Sequence, residues 1–150
     1  FIGLMISNGE PLVIEYNVRM GDPETEVVLP RIKSDLVQLF QAVATNSLDQ
    51  IKIEIDERSA TTVMLVSGGY PENYEKNKVI TGINDVTESI VFHAGTTLFE
   101  GNVVSNGGRV LAVTSYGNDF KEAIKKSYQN IAKLNFDKMY FRSDIGNDLL

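Results

Sequence analysis

GGRVLAVT at residues 107–114 and DFKEAIKKSYQNIAKL at residues 119–134 are the stretches that decide the fold. The first is a β-prone run behind a glycine pair, and it predicts a strand. In the second, Asp119 and Glu122 are typical of a helix start, and apolar side chains recur at helical spacing. That apolar stripe consists of Phe120, Ile124, Ile131 and Leu134. Together the two stretches predict a small sheet that carries one long helix.

Further strands are predicted on both sides of this unit. Apolar runs at residues 1–6 and 12–19 flank Asn8-Gly9, which is typical of a β-hairpin. Downstream we expect strands at residues 61–66, 89–93 and 103–105, and a short one within 139–145. Residue 1 lies inside the apolar run FIGLMI, and we expect an N-terminal part of the protein to precede it.

Residues 34–55 carry a helix signal followed by a strand signal. Ser34 can cap a helix with Asp35 in its first turn, and apolar residues at helical spacing extend to about Ala44. Ile51, Ile53 and Ile55 then alternate with charged residues, which predicts a half-exposed strand. A domain boundary is expected between residues 46 and 60. The fold class is therefore α+β.

Composition excludes several classes of protein. The 150 residues include 20 acidic and 14 basic side chains, with a net charge of −6 and no basic cluster, so we expect no nucleic-acid partner. No apolar run approaches the roughly 20 residues of a membrane span, so we expect no membrane partner. Cysteine is absent, which excludes disulfides and thiolate metal sites in this chain.

The segment IEYNVRMGDPETE, residues 14–26, carries the clearest chemical pattern. If a strand continues through it, Glu15, Asn17 and Arg19 project from one face. A carboxylate and an amide oxygen are hard ligands that suit Mg²⁺, and a guanidinium can clamp a phosphate or an acyl phosphate. On pattern alone, a solvent-facing strand that holds an Arg–Glu pair explains the same residues.

The segment resembles the metal-binding strand of the ATP-grasp superfamily and the RMGDPETE motif of the phosphoribosylamine–glycine ligases. The likeness continues, in the family's order, in SGGYP (67–71), KVITG (78–82), VFHAGT (91–96) and NGGRVLAVT (106–114). The resemblance implies the end of an ATP-grasp domain at residues 1–46, a connecting segment at 47–60 and the family's small C-terminal β-sheet domain with one long helix at 61–150.

The resemblance also implies an activity. The parent protein would join glycine to 5-phosphoribosylamine with ATP as co-substrate, through a glycyl phosphate, in cytoplasmic purine biosynthesis. Glu15 and Asn17 would be ligands of Mg²⁺ or Mn²⁺, and Arg19 would stabilise the transferring phosphoryl group or the acyl phosphate. Most ATP contacts and a further acidic metal ligand are expected upstream of Phe1, in the N-terminal remainder of the enzyme. This fragment alone would be inactive.

Substrate-binding residues are expected in two places. Asp22, Glu24 and Thr25 could contact the ribose hydroxyls or the amine, although Asp22 and Glu24 could equally cap the turn that follows. Gly107 and Gly108 could leave their amides open to an anion, with Arg109 binding the ribose phosphate. The alternative is a tight turn in which Arg109 pairs with an acid.

Two further features have simpler readings. The run SGGYP at residues 67–71 lacks the Gly-Lys-Ser/Thr ending of a P-loop, so it is interpreted as a turn that ends a strand. His93, the only histidine, is interpreted as a hydrogen-bonded structural residue rather than a catalytic base. Two other functions fit the chain, a noncatalytic ligand-binding module and a structural domain of a multifunctional enzyme.

Overall fold

The computed structural model describes residues 1–149, which form eight strands and three α-helices with short 3-10 turns between them. Their bounds are β1 Ile2–Ser7, β2 Glu10–Tyr16, α1 Glu24–Val28, α2 Leu36–Ala44, β3 Ser59–Ser67, β4 Ser89–His93, β5 Thr96–Phe99, β6 Asn102–Ser105, β7 Arg109–Gly117, α3 Phe120–Ile131 and β8 Met139–Tyr140. The predicted mixture of small sheets with one long helix is confirmed.

The central sheet has the strand order β4-β7-β3-β8, and all of its pairs are antiparallel. β7 is buried along most of its length, because β3 and β4 flank it and α3 packs against it. The apolar stripe meets the sheet there: Ile131 at the end of α3 is fully buried, and Leu134, three residues beyond the helix, is almost fully buried. The strand and helix predicted from residues 107–134 therefore form the core.

The start of α3 agrees with the sequence signal. The Asp119 carboxylate accepts a hydrogen bond from the Glu122 amide at 2.8 Å, and the Glu122 carboxylate accepts one from the Asn118 amide at 2.7 Å. These reciprocal bonds satisfy amides that have no partner within the helix. Lys126 adds an ion pair with Glu122 one turn later, at 3.0 Å.

β1 and β2 form the predicted hairpin around Asn8-Gly9, where both residues have positive φ. The second strand ends at Tyr16, whereas the sequence predicted an end near Arg19. Pairing persists one residue further, since Phe1 and Asn17 exchange two backbone hydrogen bonds of 2.8 Å. Nearly every residue of the hairpin is exposed on both faces.

Two predictions in residues 34–55 need correction. Asp35, not Ser34, caps α2, because its carboxylate accepts from the amides of Val37 and Gln38, while the Ser34 hydroxyl accepts from the Glu54 amide. The strand predicted at residues 51–55 is wrong, since the segment forms only an isolated bridge between Ile32 and Ile55. Alternating apolar and charged residues indicate a segment with one apolar and one polar face, but a strand also needs a neighbouring strand of similar length with which to pair.

The C-terminal strand signal is confirmed only in part. β8 has two residues, which pair with Val66 and Ser67 of β3. The turn reading of SGGYP is confirmed, because β3 ends at Ser67 and the Tyr70 amide then donates to the Ser67 carbonyl. Among residues 1–149, no helix is long and apolar enough to cross a membrane.

Candidate functional site

Glu15 and Asn17 stand at the open end of the hairpin. Glu15 lies opposite Gly3 in the register, and a Cβ added to Gly3 would lie 3.0 Å from Cγ of Glu15. The missing side chain at residue 3 therefore gives the Glu15 side chain its space. Asn17 is two residues further on the same paired segment, so the two side chains leave one face of the hairpin.

Arg19 differs from that prediction, because it lies beyond the paired segment. Its guanidinium carbon is 5.8 Å from the centroid of the Phe1 ring, and Nη1 donates to the Met20 carbonyl at 3.3 Å. Glu15 and Asn17 therefore follow the alternation of a strand, whereas Arg19 does not. Arg19 occupies the exposed turn between the hairpin and α1.

The donor set at the hairpin fits a hard divalent cation as a partial site. Within the described part of the chain, no three His, Asp or Glu side chains group closely enough to hold a metal ion. The Asn17 Nδ2 is buried without a hydrogen-bond partner, so no protein contact fixes which way the amide faces. One carboxylate and one amide oxygen suit Mg²⁺ or Mn²⁺, which take their other ligands from water and substrate phosphates.

The loop after Arg19 is closed by its own side chains. The Gly21 amide donates to the Glu24 carboxylate at 2.6 Å, and the Thr25 hydroxyl donates to the Gly21 carbonyl at 3.0 Å. Glu24 therefore makes the local contact that the capping alternative predicted. Because each side chain has further acceptor capacity, these bonds leave a role in substrate binding open.

Asp22 and Arg109 form an ion pair, although they lie 87 positions apart in the sequence. The Arg109 Nη2 lies 3.0 Å from the Asp22 Oδ2, and Nη1 lies 3.5 Å from the Asp22 carbonyl oxygen. The Asp22 side chain is 49% exposed and the Arg109 side chain is 41% exposed. This is the acid pairing that the sequence left as the alternative for Arg109, and it joins the two places where substrate contacts were predicted.

The glycine pair before Arg109 serves close packing. The Gly107 amide donates to the Gly95 carbonyl at 3.1 Å, so the prediction that this amide is open to an anion is wrong for the described conformation. A Cβ on Gly107 would lie 3.0 Å from Cα of Gly95, and one on Gly108 would lie 2.0 Å from Cδ2 of Tyr70. Both positions lack a side chain because neighbours occupy the space.

A cavity of about 260 Å³ opens beside the Asp22–Arg109 pair. Pro23 and Arg109 contribute to its wall, together with Tyr70 from the turn after β3 and Arg142 from the C-terminal segment. The rest of the lining is mainly apolar and aromatic. The pair therefore stands at the edge of a concave surface, where a guanidinium can meet an anionic ligand.

Sequence reasoning missed Thr114, which holds α1 against the sheet. Its buried hydroxyl donates to the Glu26 carbonyl at 2.8 Å and lies 2.9 Å from the Thr62 hydroxyl. In an α-helix the Glu26 carbonyl would accept from residue 30, but Pro30 has no N–H. Thr114 supplies the donor instead. A proline four residues after a helical position was the available signal.

A second groove, of about 520 Å³, lies between α1 and β4. Thr25, Glu26 and His93 contribute to its lining, and one carboxylate oxygen of Glu26 is buried without a hydrogen-bond partner. The His93 Nδ1 and the Thr96 hydroxyl are 2.9 Å apart. This contact agrees with the interpretation of His93 as a hydrogen-bonded residue.

Comparison with protein families identifies a match over more than half of the chain. The model described as "Phosphoribosylglycinamide synthetase, C domain" matches residues 60–148. The match covers the central sheet, the β5–β6 hairpin and α3, and it leaves the first hairpin and α2 outside.

Similar proteins extend the comparison over the whole chain. The chain is 45% identical to the phosphoribosylamine–glycine ligase of Chlorobaculum tepidum, over 97% of this chain and 35% of that protein. It is also 45% identical to a bifunctional purine biosynthetic protein of Schizosaccharomyces pombe, over 100% of this chain and 19% of that protein. The chain spans about a third of the first relative's length and about a fifth of the second's.

A solved structure shares the fold. The crystal structure of phosphoribosylamine–glycine ligase from Thermotoga maritima superposes with a TM-score of 0.75 at 36% identity. The match covers 95% of this chain and 35% of that chain.

Proposed function

We propose, because this chain belongs to the phosphoribosylglycinamide synthetase family, that it is the C-terminal part of an ATP-dependent ligase, called the parent ligase below. The parent ligase would join glycine to 5-phosphoribosylamine and release glycinamide ribonucleotide, ADP and phosphate. We place this activity in purine biosynthesis in the cytoplasm, without a nucleic-acid or membrane partner. The N-terminal remainder of the parent ligase would supply most of the residues that bind ATP.

The proposed domain division follows the burial of the chain. Residues 1–46 would be the end of an ATP-grasp domain, residues 47–60 a connection, and residues 61–150 the C-terminal domain. The family match that begins at residue 60 supports this division. So do the apolar side chains that the hairpin and α2 leave exposed, such as Ile6 and Phe40, each about two-thirds exposed. Such side chains are usually covered when they are numerous and contiguous.

In the proposed reaction, the γ-phosphoryl group of ATP passes to the glycine carboxylate and leaves ADP. The amine of 5-phosphoribosylamine then attacks the carbonyl carbon of the glycyl phosphate, an amide bond forms, and phosphate leaves. Bound Mg²⁺ or Mn²⁺ would neutralise phosphate charge during the transfer. Glu15 and Asn17 would hold the cation through oxygen atoms.

The other candidate residues bind and orient. Arg19, in the exposed turn after the hairpin, would contact the transferring phosphoryl group or the acyl phosphate with its guanidinium. Arg109 would bind the 5-phosphate of the ribose substrate at the edge of the cavity. Asp22, Glu24 and Thr25 would border the ribose, and Gly107 and Gly108 would set the position of Arg109 by their close packing.

One observation carries this proposal: the Asp22–Arg109 pair joins the segment proposed to bind the metal to a cationic strand end that lies 87 residues away. A ligase needs these parts close together, because its metal, phosphoryl group and ribose phosphate must meet in one site. A noncatalytic binding module would have no need for the Glu15 and Asn17 oxygens in the same segment as Asp22.

The test is a ligase assay on the parent ligase and on this chain alone. Each protein is incubated with ATP, Mg²⁺, glycine and 5-phosphoribosylamine, and ADP release is followed with each substrate omitted in turn. We expect ADP release by the parent ligase only when all three substrates are present, and none by this chain. Release that does not depend on glycine or on the ribose substrate would contradict the proposed activity.

A further inference from the structure

We propose that Asp22 is a positioning residue for Arg109: it orients the guanidinium that receives the substrate phosphate. The inference rests on the proposed function, and it adds a role that neither the resemblance nor the residue pattern assigned to Asp22. The observation behind it is the pair itself, with its carboxylate contact at 3.0 Å and its second approach to the Asp22 carbonyl oxygen.

The geometry of the pair suits orientation. A salt bridge between two half-exposed side chains contributes little to stability, because water screens the charges. The salt bridge instead restricts the orientation of the Arg109 side chain, since an unpaired arginine would distribute its long side chain over many rotamers. Asp22 engages the two terminal nitrogens of the guanidinium, with the carboxylate and the backbone carbonyl as separate acceptors. Two acceptors from one residue restrict the rotation of the guanidinium plane.

Arg109 can still bind an anion while it is paired. The guanidinium carries more N–H donors than Asp22 engages, because Nε and the second proton of each terminal nitrogen make no contact with Asp22. Arg109 also lines the cavity, beside Pro23, which follows Asp22 directly. The same side chain is therefore fixed from one side and open to the cavity on another.

The anchor for Asp22 is the loop that Glu24 and Thr25 close. Both side chains hydrogen-bond to the backbone of Gly21, the residue before Asp22, and Thr114 holds the following turn against β7. Because Arg109 begins β7, both ends of the ion pair are fixed to the same strand. The loop and the strand therefore hold Arg109 with little freedom to adjust.

The experiment measures KM for each of the three substrates and kcat in the parent ligase. The variants are Asp22→Ala, Asp22→Asn, Arg109→Ala and the double variant Asp22→Ala/Arg109→Ala. For Asp22→Ala we expect KM for 5-phosphoribosylamine to rise roughly tenfold, with kcat and the other two KM values within about twofold of wild type. Asp22→Asn keeps a hydrogen-bond acceptor and should recover most of that loss. In the double variant, the Asp22 change should add nothing to the effect of Arg109→Ala.

The matched control is Asp144→Ala. Asp144 pairs with Arg142, another exposed arginine on the same cavity wall, with contacts of 2.8 Å. We expect this change to leave KM for 5-phosphoribosylamine within about twofold. An equal effect from Asp144→Ala would mean that any charge change at the cavity acts in the same way, and it would overturn the proposal.

Three other outcomes would overturn the positioning role. A fall in KM for the ribose substrate in both Asp22 variants would show that the carboxylate repels the phosphate. A full additional effect of Asp22→Ala in the Arg109→Ala background would show that Asp22 acts independently. A change confined to glycine or ATP would place Asp22 elsewhere. If the wild-type parent ligase shows no activity that depends on all three substrates, the proposed function fails instead, which is a separate result.

Discussion

The ring of Tyr70 lies so close to Gly108 that a single methyl group at residue 108 would sit 2.0 Å from Cδ2 and 2.5 Å from Cε2 of the ring. Tyr70 belongs to the turn after β3, and Gly108 immediately precedes β7. Their contact therefore fixes the turn against the strand entrance that carries Arg109.

Gly108→Ala is expected to lower the free energy of unfolding by about 1–3 kcal/mol, because the ring and the added methyl group cannot share that space unless the ring or the backbone moves. Chemical denaturation of the parent ligase or of this chain measures the effect. In the Tyr70→Ala background, the same glycine change should cost much less. An equal cost in both backgrounds would show that the tyrosine ring is not the obstacle.

Glu15→Gln and Asn17→Ala should each raise the Mg²⁺ concentration that the parent ligase needs for half-maximal activity. Each change removes or weakens one oxygen ligand of a hard cation. Titration of Mg²⁺ at saturating substrates measures the shift. Glu10→Gln, at the other end of the same strand, is the control and should leave the titration unchanged. Unaltered titrations in both test variants would refute the ligand roles.

Thr114→Val should lower the free energy of unfolding by about 1–3 kcal/mol, because the Glu26 carbonyl loses its donor and Pro30 cannot replace it. Thr97→Val, on the exposed face of β5, is the control and is expected to change stability by less than about 0.5 kcal/mol. Equilibrium denaturation compares the two variants. A cost at residue 114 as small as that at residue 97 would contradict the supporting role of the hydroxyl.

Glu75 should give the protein an acid-sensitive contribution to stability. Hydrogen bonds from Lys138 and then Lys78 lower the pKa of its carboxyl group from the usual 4.5 to about 2. Because the folded state favours the ionised form, the contribution is fully present above pH 4.5 and is lost as the pH falls through about 2.

Melting temperatures between pH 6 and pH 2 test this dependence. The difference between wild type and Glu75→Gln should be largest above pH 4.5 and should shrink steadily toward pH 2. Glu72→Gln, a nearby exposed carboxylate, serves as the control for a general loss of negative charge. A Glu75→Gln difference that stays constant over this range would contradict the lowered pKa.

The core could be predicted because its signals are local. The apolar run of β7 and the stripe of α3 follow one another in the sequence, and each carries its own periodicity. The Asn8-Gly9 turn and the Asp119 cap are likewise decided by a few neighbouring residues. In these places the preference of the segment and the packing of the fold agree.

The sequence-based predictions failed where residues distant in the sequence determine the local structure. Residues 51–55 have a strand pattern, but they meet only the short segment around Ile32. A glycine pair can expose its amides or admit close neighbours, and only Gly95 and Tyr70 show that packing explains Gly107 and Gly108. The Asp22–Arg109 contact was an open alternative for the same reason, because nothing near Arg109 in the sequence names its partner.

The hydrogen bond from Thr114 to Glu26 also has a consequence for biosynthesis, because it joins residues 88 positions apart. At about 5–20 residues per second, the ribosome adds Thr114 roughly 4–18 seconds after Glu26. A helix as short as α1 is not stable by itself. During translation, α1 must therefore remain without this contact until β7 has left the exit tunnel.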